Sequence, residues 1–136
     1  MKKILGLTIL TLTMLSTFGC ASSYVGTPVY IEHGVHVKQT NSKMFRGYLE
    51  SVKSCMGVSQ PLHMPEITIV KSSKVKCGRR SALGCYVGSR FTKGILTVPA
   101  RTGSNVIKHE FIHHVLLHTK GDIDNGHKTN WYQRCS

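Results

Sequence analysis

The sequence predicts an α+β domain in which a short, mostly antiparallel sheet packs against an N-terminal helix and a second, histidine-rich helix. Three features predict this class. They are an amphipathic segment near position 50, short β-branched segments in the middle of the chain, and another amphipathic segment after position 104. The chain has 136 residues, enough for one domain. We expect residues 29–136 to form it.

The N-terminus has the layout of a secretory signal peptide. Two lysines precede an apolar run over residues 4–15, and small residues follow. The TFGC ending resembles a bacterial lipoprotein signal, in which the cysteine becomes the lipid-bearing first residue. We therefore expect residues 1–19 to be removed, Cys20 to carry lipid, and residues 20–28 to form a tether. A retained N-terminal membrane anchor is the alternative.

Cysteine usage fits an exported protein. Without Cys20, four cysteines remain, and an even number in an exported chain predicts two disulfides. Three pairings are possible. We favour Cys77–Cys85, which are close in sequence, and Cys55–Cys135, which would tie an early helix to the C-terminus. Metal binding by these cysteines is the alternative, but they lack the CxxC spacing of zinc sites.

The chain is strongly basic, with a net charge of +12. In an intracellular protein this charge would suggest nucleic acid. The charges are scattered and the chain carries an export signal, so we expect no specific nucleic-acid partner. Contact with an anionic envelope surface, or simply a solvated basic face, remains open.

The first half of the chain contains one extended segment and one helix. Residues 29–39 have β-branched residues on both sides of a glycine and predict an extended segment or hairpin. Residues 41–58 predict a helix, because apolar side chains recur at helical spacing on one face. These side chains are Phe45, Leu49, Val52 and Met56.

The second half contains short strands followed by the histidine-rich helix. Strands are predicted at 66–72, 85–91 and 94–99, with a disulfide-bounded loop before the second and the tripeptide TKG as a turn before the third. The helix is predicted over about residues 106–119. Gly121 is expected to end it.

This helix carries HEFIH at 109–113, an HExxH motif. Residues four apart lie about 40° apart around a helix axis and one turn along it. His109 and His113 can therefore reach one metal ion, with Glu110 beside them. The apolar residues fall elsewhere, which separates a core face from a metal face. HExxH is short enough to occur by chance, and a surface helix rich in histidine is the alternative.

A catalytic zinc site needs a third protein ligand and keeps one position for water. His114 and His118 point away from the metal face of a continuous helix, so we expect them to be exposed or to support the ligands indirectly. Asp122 and Asp124 follow the helix and could ligate. Carboxylates in such places more often orient a ligating histidine.

His127 is the preferred third ligand, because the loop after His113 is long enough to fold back over the helix. The segment from HEFIH to GHKTNW resembles the SprT-like arrangement, in which HExxH is followed by a short linker and GHxxxW. The resemblance covers about residues 106–132. It implies a small zincin-like fold with His109, His113 and His127 as zinc ligands and Glu110 as catalytic acid and base.

The chain departs from two other zincin patterns. No methionine follows residue 64, so the Met-turn of metzincins is absent. No glutamate follows Glu110, so the downstream ligand of gluzincins is absent as well. The SprT-like arrangement is the one that the spacing resembles.

These features predict a zinc-dependent peptidase of the cell envelope, lipid-anchored on a periplasm-facing outer membrane or on the cell surface. Glu110 would accept the proton of the attacking water and pass it to the leaving amine. Three candidates could stabilise the oxyanion. They are Tyr132, His114 and Arg101.

The strand before the site helix is the predicted substrate-binding element. An extended peptide could pair with it by strand addition. The residues concerned are Ile95, Leu96 and Thr97. An ordinary sheet strand is equally compatible with the sequence.

Two other functions fit parts of the sequence. One is a zinc-binding envelope lipoprotein without turnover, and the other is a basic envelope or nucleic-acid module, which depends on charge alone. The intact Glu110 favours the peptidase, since a structural site needs no general base. His33 and His36 could form a second metal site, although exposed strand histidines are the simpler interpretation.

Overall fold

The computed structural model describes residues 29–31 and 40–136. The elements in chain order are β1 (Val29–Ile31), α1 (Thr40–Cys55), β2 (Glu66–Val70), β3 (Val75–Cys77), β4 (Arg80–Ala82), β5 (Cys85–Val87), β6 (Ile95–Pro99), α2 (Ser104–Lys120) and α3 (Trp131–Cys135). The arrangement is α+β, as predicted. No helix among these residues is long and apolar enough to cross a membrane. The predicted signal peptide, Cys20, the tether, His33 and His36 lie outside the described residues.

The main sheet has four strands in the order β1-β2-β6-β5. Strands β1, β2 and β6 run parallel, and only β5 is antiparallel to its neighbour β6. The prediction of a mostly antiparallel sheet is therefore wrong. Parallel neighbours need a crossover connection. Helix α1 joins β1 to β2, and a long excursion through β3, β4 and β5 joins β2 to β6.

One face of this sheet packs against α1 and α2. Successive side chains of a strand point to opposite faces, so alternate residues reach the helices. The buried strand residues in this core are Ile67, Ile69, Tyr86, Leu96 and Val98. The buried helix residues that meet them include Phe45, Leu49, Val52, Ile107, Phe111, Ile112 and Val115. Each fully buried aliphatic or aromatic side chain contributes about 1.5–3 kcal/mol of stabilisation.

The other face is partly covered by a two-stranded hairpin of β3 and β4. The sequence indicated only a loop here. Gly78, with φ +61°, takes the left-handed conformation at the turn. Val75 of the hairpin packs against Val70 and Cys85 in a small second cluster. The predicted disulfide between Cys77 and Cys85 is confirmed and fixes the hairpin to β5.

The helices begin and end close to the predicted positions. Helix α1 ends at Cys55, and Gly57 follows with φ +70°. Helix α2 extends to Lys120, and Gly121 ends it in the left-handed conformation with its N–H on the carbonyl of Leu117. The predicted disulfide between Cys55 and Cys135 is also confirmed, and it ties α1 to α3.

Helix α2 is buried on more sides than its pattern predicted. Every residue from Glu110 to Leu117 is buried, because α1, α3 and the sheet all contact this helix. His114 is fully buried, so of the two expectations for this residue, exposure and indirect support of the ligands, exposure is wrong. The helix therefore lacks a broad solvent-facing side in its central two turns.

Strand β6 lies inside the sheet. Ile95, Leu96 and Thr97 pair with β2 on one side and with β5 on the other. The prediction that these residues bind substrate by strand addition is wrong, because their backbone positions on both sides are already in ladders. The edge strand next to α2 is β5.

Candidate metal centre

Three histidine side chains converge from two parts of the chain. His109 and His113 stand one turn apart on α2, and His127 comes from the loop between α2 and α3. The Nε2 atom of His127 lies 3.1 Å from that of His109 and 3.2 Å from that of His113. Together they form a group that could hold a metal ion.

The protonation of His113 determines what its Nε2 atom can do. Its Nδ1 atom lies 2.6 Å from the carbonyl oxygen of Ile123 and donates to it, since a carbonyl only accepts. In the neutral ring Nε2 is then left with a lone pair that faces His127. Nitrogen lone pairs held this close repel one another unless a proton or a cation lies between them.

The two distances from His127 match those between ligand atoms on one tetrahedral metal ion. Zn–N bonds of 2.0–2.1 Å place neighbouring nitrogens of a tetrahedron roughly 3.3 Å apart. The two distances from His127 are close to that value. The hydrogen bond from His113 to Ile123 is the kind of outer contact that fixes the tautomer and orientation of a ligating histidine.

Burial favours the neutral forms of His109 and His113. It lowers the pKa of His109 to about 4, with smaller contributions from the charges of His113 and His127. Burial also lowers the pKa of His113, against the opposing effect of its hydrogen bond to Ile123. A histidine must be neutral to bind metal. Both rings meet this condition at neutral pH.

The loop that delivers His127 is held by the carboxylate of Asp124. That carboxylate accepts hydrogen bonds from the backbone N–H groups of Lys128 and Thr129, and from the Thr129 hydroxyl, at 2.9, 3.1 and 2.9 Å. These bonds lower the pKa of Asp124, with the Lys128 N–H as the main cause. Asp122 in turn accepts from the Asp124 N–H at 2.9 Å. Both aspartates therefore shape the loop.

The loop also stores backbone strain. Asp124 and His127 have φ values of +50° and +49°, in the left-handed region that residues other than glycine rarely adopt. The hydrogen bonds to the Asp124 carboxylate compensate this cost. They hold the backbone in the conformation that turns the His127 ring toward α2.

Tyr132 packs against all three histidines. Its ring centroid lies 4.7, 5.0 and 4.5 Å from those of His109, His113 and His127. Its hydroxyl lies 2.9 Å from Nδ1 of His113. Tyr132 belongs to α3, which the disulfide of Cys135 ties to α1. Its contact with His113 indicates that it supports the histidine cluster.

Glu110 lines the same groove as the three histidines. It is only 6 % exposed. Burial raises its pKa to about 7, although the backbone N–H of Tyr86 faces the carboxylate and opposes this rise as a hydrogen-bond donor. Gly84 is necessary here, because a Cβ atom at that position would lie 2.7 Å from Oε1 of Glu110.

The groove has a volume of about 940 Å³ and is open along one side. Strand β5 and its flanking glycines form one wall, and the loop after α2 forms the other. Its lining includes Gly84, Val87, Gly88, Asn105, Ile123 and Asn125. The groove therefore runs between the sheet edge and the histidines.

The structure brings the predicted ligands His109, His113 and His127 into this groove, together with Glu110 and the oxyanion candidate Tyr132. Two candidates for the oxyanion donor lie elsewhere. His114 has both ring nitrogens in hydrogen bonds within the core, and Arg101 lines a different cavity. Gly84 and Tyr86 also contact Glu110, and nothing in their local sequence pattern predicted this.

Comparison with known proteins identifies no relative. The chain matches no protein-family model, no curated protein sequence and no solved structure.

Proposed function

We propose that this chain is a zinc-dependent peptidase. The observation that carries the proposal is the convergence of three imidazoles, one of them from a distant loop, in a groove that also holds Glu110. A site built only for structure has no use for a buried carboxylate beside its ligands.

Zinc is the metal that this donor set favours. Three imidazole nitrogens from His109, His113 and His127 match the ligands of catalytic zinc sites, which keep a further position open. When bound, zinc supplies a Lewis acid and makes water nucleophilic near neutral pH.

Glu110 is the proposed general base and acid. Its carboxylate takes a proton from the attacking water and passes that proton to the nitrogen of the leaving amine. The backbone N–H of Tyr86 holds the carboxylate in place for both transfers. Gly84, which has no side chain, leaves room for it.

An extended peptide is the proposed substrate. Strand β5 is the edge of the sheet beside the groove, so a peptide can lie along β5 and still reach the histidines. This moves the proposed peptide-binding strand from β6 to β5, while the type of interaction remains the same.

The cell envelope is the proposed location. Two disulfides are present, and disulfides persist in oxidising compartments. The TFGC sequence at residues 17–20 supports export and a lipid anchor on Cys20.

Replacing Glu110 tests the proposal. We expect the zinc-loaded protein to cleave members of a quenched fluorescent peptide library, and Glu110→Gln to lower kcat by roughly 10²–10⁴-fold with zinc content unchanged. Glu50→Gln is the matched control, because it makes the same change on α1.

Two results would contradict the peptidase proposal. One is no cleavage of any peptide by the zinc-loaded wild-type protein, which would favour a binding role. The other is equal cleavage by wild type and Glu110→Gln, which would remove Glu110 from the chemistry.

A further inference from the structure

A second group of polar side chains lies in the core, on the side of α2 away from the metal-binding histidines. His114 is fully buried, and its Nε2 atom lies 2.8 Å from the carbonyl oxygen of His63. Its Nδ1 atom lies 2.9 Å from the hydroxyl of Tyr86. The Tyr86 and His114 rings meet edge to face, with centroids 5.3 Å apart.

These contacts determine the direction of both hydrogen bonds. A carbonyl only accepts, so Nε2 of His114 carries the proton and donates it to His63. Nδ1 is then an acceptor, and the Tyr86 hydroxyl donates to it. Both ring nitrogens are satisfied, which a buried imidazole requires.

The hydroxyl of Tyr86 occupies a space that two glycines leave free. A Cβ atom at Gly88 would lie 2.5 Å from this oxygen, and one at Gly94 would overlap it as well. The hairpin of β5 and β6 is therefore shaped around the hydroxyl. Its partner His114 fixes β5 against α2.

The same tyrosine reaches Glu110 through its backbone. The Tyr86 N–H faces the Glu110 carboxylate, one turn of α2 before His114. Strand β5 thus contacts α2 at two points, through the tyrosine side chain and through the tyrosine backbone. A shift of β5 would move the donor away from the carboxylate.

We propose that His114 is a positioning residue that acts through Tyr86 to hold Glu110 toward the metal-binding histidines. The His114 ring fixes the Tyr86 side chain, the side chain fixes β5, and the backbone of β5 fixes the carboxylate. The kinetic consequence of this role rests on the proposed peptidase function, but the positioning itself does not.

The kinetic test uses the full-length, zinc-loaded protein and the same peptide library. Tyr86→Phe removes only the hydroxyl, and His114→Leu removes both ring nitrogens. We expect each to lower kcat by roughly tenfold to a hundredfold with KM and zinc content unchanged, since small displacements of a reacting group have effects of this size. His114→Gln can accept from Tyr86 and donate to His63, so it should recover most of the activity.

Two further variants make this test specific. Tyr48→Phe removes a hydroxyl from a partly buried tyrosine on α1 and should leave kcat unchanged. The double variant Tyr86→Phe with His114→Leu should be no slower than the slower single variant, because both changes break one coupled path. Unchanged kcat in Tyr86→Phe, or multiplicative losses in the double variant, would overturn the positioning role.

Hydrogen exchange tests the same contacts without any turnover. The backbone N–H of residue 86 should exchange at least roughly tenfold faster in Tyr86→Phe and His114→Leu than in wild type, and in His114→Gln it should stay protected. Equal protection in all four proteins would overturn the proposal even if the peptidase is active. If wild type cleaves nothing, the peptidase proposal fails, and this exchange result still decides the role of His114.

Discussion

His113 and His114 are neighbours in the chain, yet their ring nitrogens have entirely different partners. His113 uses Nδ1 for the carbonyl of Ile123 and keeps Nε2 directed at His127. His114 uses both nitrogens inside the core, on Tyr86 and on the carbonyl of His63. The difference shows that the partners of each ring nitrogen, rather than the density of histidines, separate a candidate metal ligand from a histidine of the core.

The two histidines also differ in what surrounds them. His113 faces an open groove and a loop held by the carboxylates of Asp122 and Asp124, whereas His114 faces the packed interface between α2 and the sheet. A change near His113 should therefore alter metal binding. A change near His114 should alter the position or the stability of the fold.

The largest expected effect is the loss of the distant ligand. His127→Ala should weaken zinc binding by roughly a hundredfold or more, because even outer contacts of a metal site are worth about 10–100-fold. Chelator competition on the full-length protein measures this affinity. His118→Ala is the control, since His118 packs on His114 and lies outside the metal-binding group. Zinc loss in His118→Ala with zinc retained in His127→Ala would reverse the assignment of the two rings.

A smaller loss of zinc affinity is expected when the Asp124 carboxylate, which holds the loop, is removed. Asp124→Ala removes the acceptor of three hydrogen bonds and frees His127 from its strained backbone. Zinc affinity should fall by about 10–100-fold. Asp122→Ala removes one bond to the same loop and should cost less. If both variants bind zinc as tightly as wild type, the loop does not depend on this carboxylate.

The smallest expected effect concerns pH. Burial, helped by the charge of His118, lowers the pKa of His114 to about 4, below its ordinary 6.5. The unfolded chain then binds more protons between these values, so this residue's stabilisation is full above pH 6.5 and is lost as pH falls toward 4. For the metal-free protein, the free energy of unfolding should therefore fall further across this range in wild type than in His114→Gln.

Urea unfolding at several pH values measures this difference. The raised pKa of Glu110 changes the free energy of unfolding with pH in the opposite direction to His114. Because Glu110 titrates in both proteins, its contribution cancels when the two curves are compared. Parallel curves for wild type and His114→Gln would show that His114 has no depressed pKa.

Local spacing explains what the sequence could predict. His109 and His113 share a side of α2 because they are four residues apart, and Gly121 ends that helix because its left-handed conformation is cheapest for glycine. The apolar face of α1, marked by Phe45 and Leu49, is buried as its period predicts. These features depend on residues within one or two turns of each other.

Features that depend on distant parts of the chain could not be predicted in the same way. Whether β2 and β6 run parallel depends on the path of the whole segment between them, and a short turn motif does not determine that path. The burial of His114 depends on Tyr86 and on the His63 carbonyl, 28 and 51 residues away. The helical periodicity predicted that the His114 ring points away from His109 and His113. It could not show that the hydrophobic core lies on that side of α2.

The disulfide between Cys55 and Cys135 has a consequence for the order in which the protein matures. It closes a loop of 80 residues and fixes α3, whose Tyr132 packs on the three histidines. In a reduced chain, holding α3 in place costs a large loop-closure entropy. The disulfide lowers this cost, because it already closes the loop in the unfolded state. If the three histidines hold a metal ion, the oxidised chain would therefore bind it more tightly than the reduced chain does.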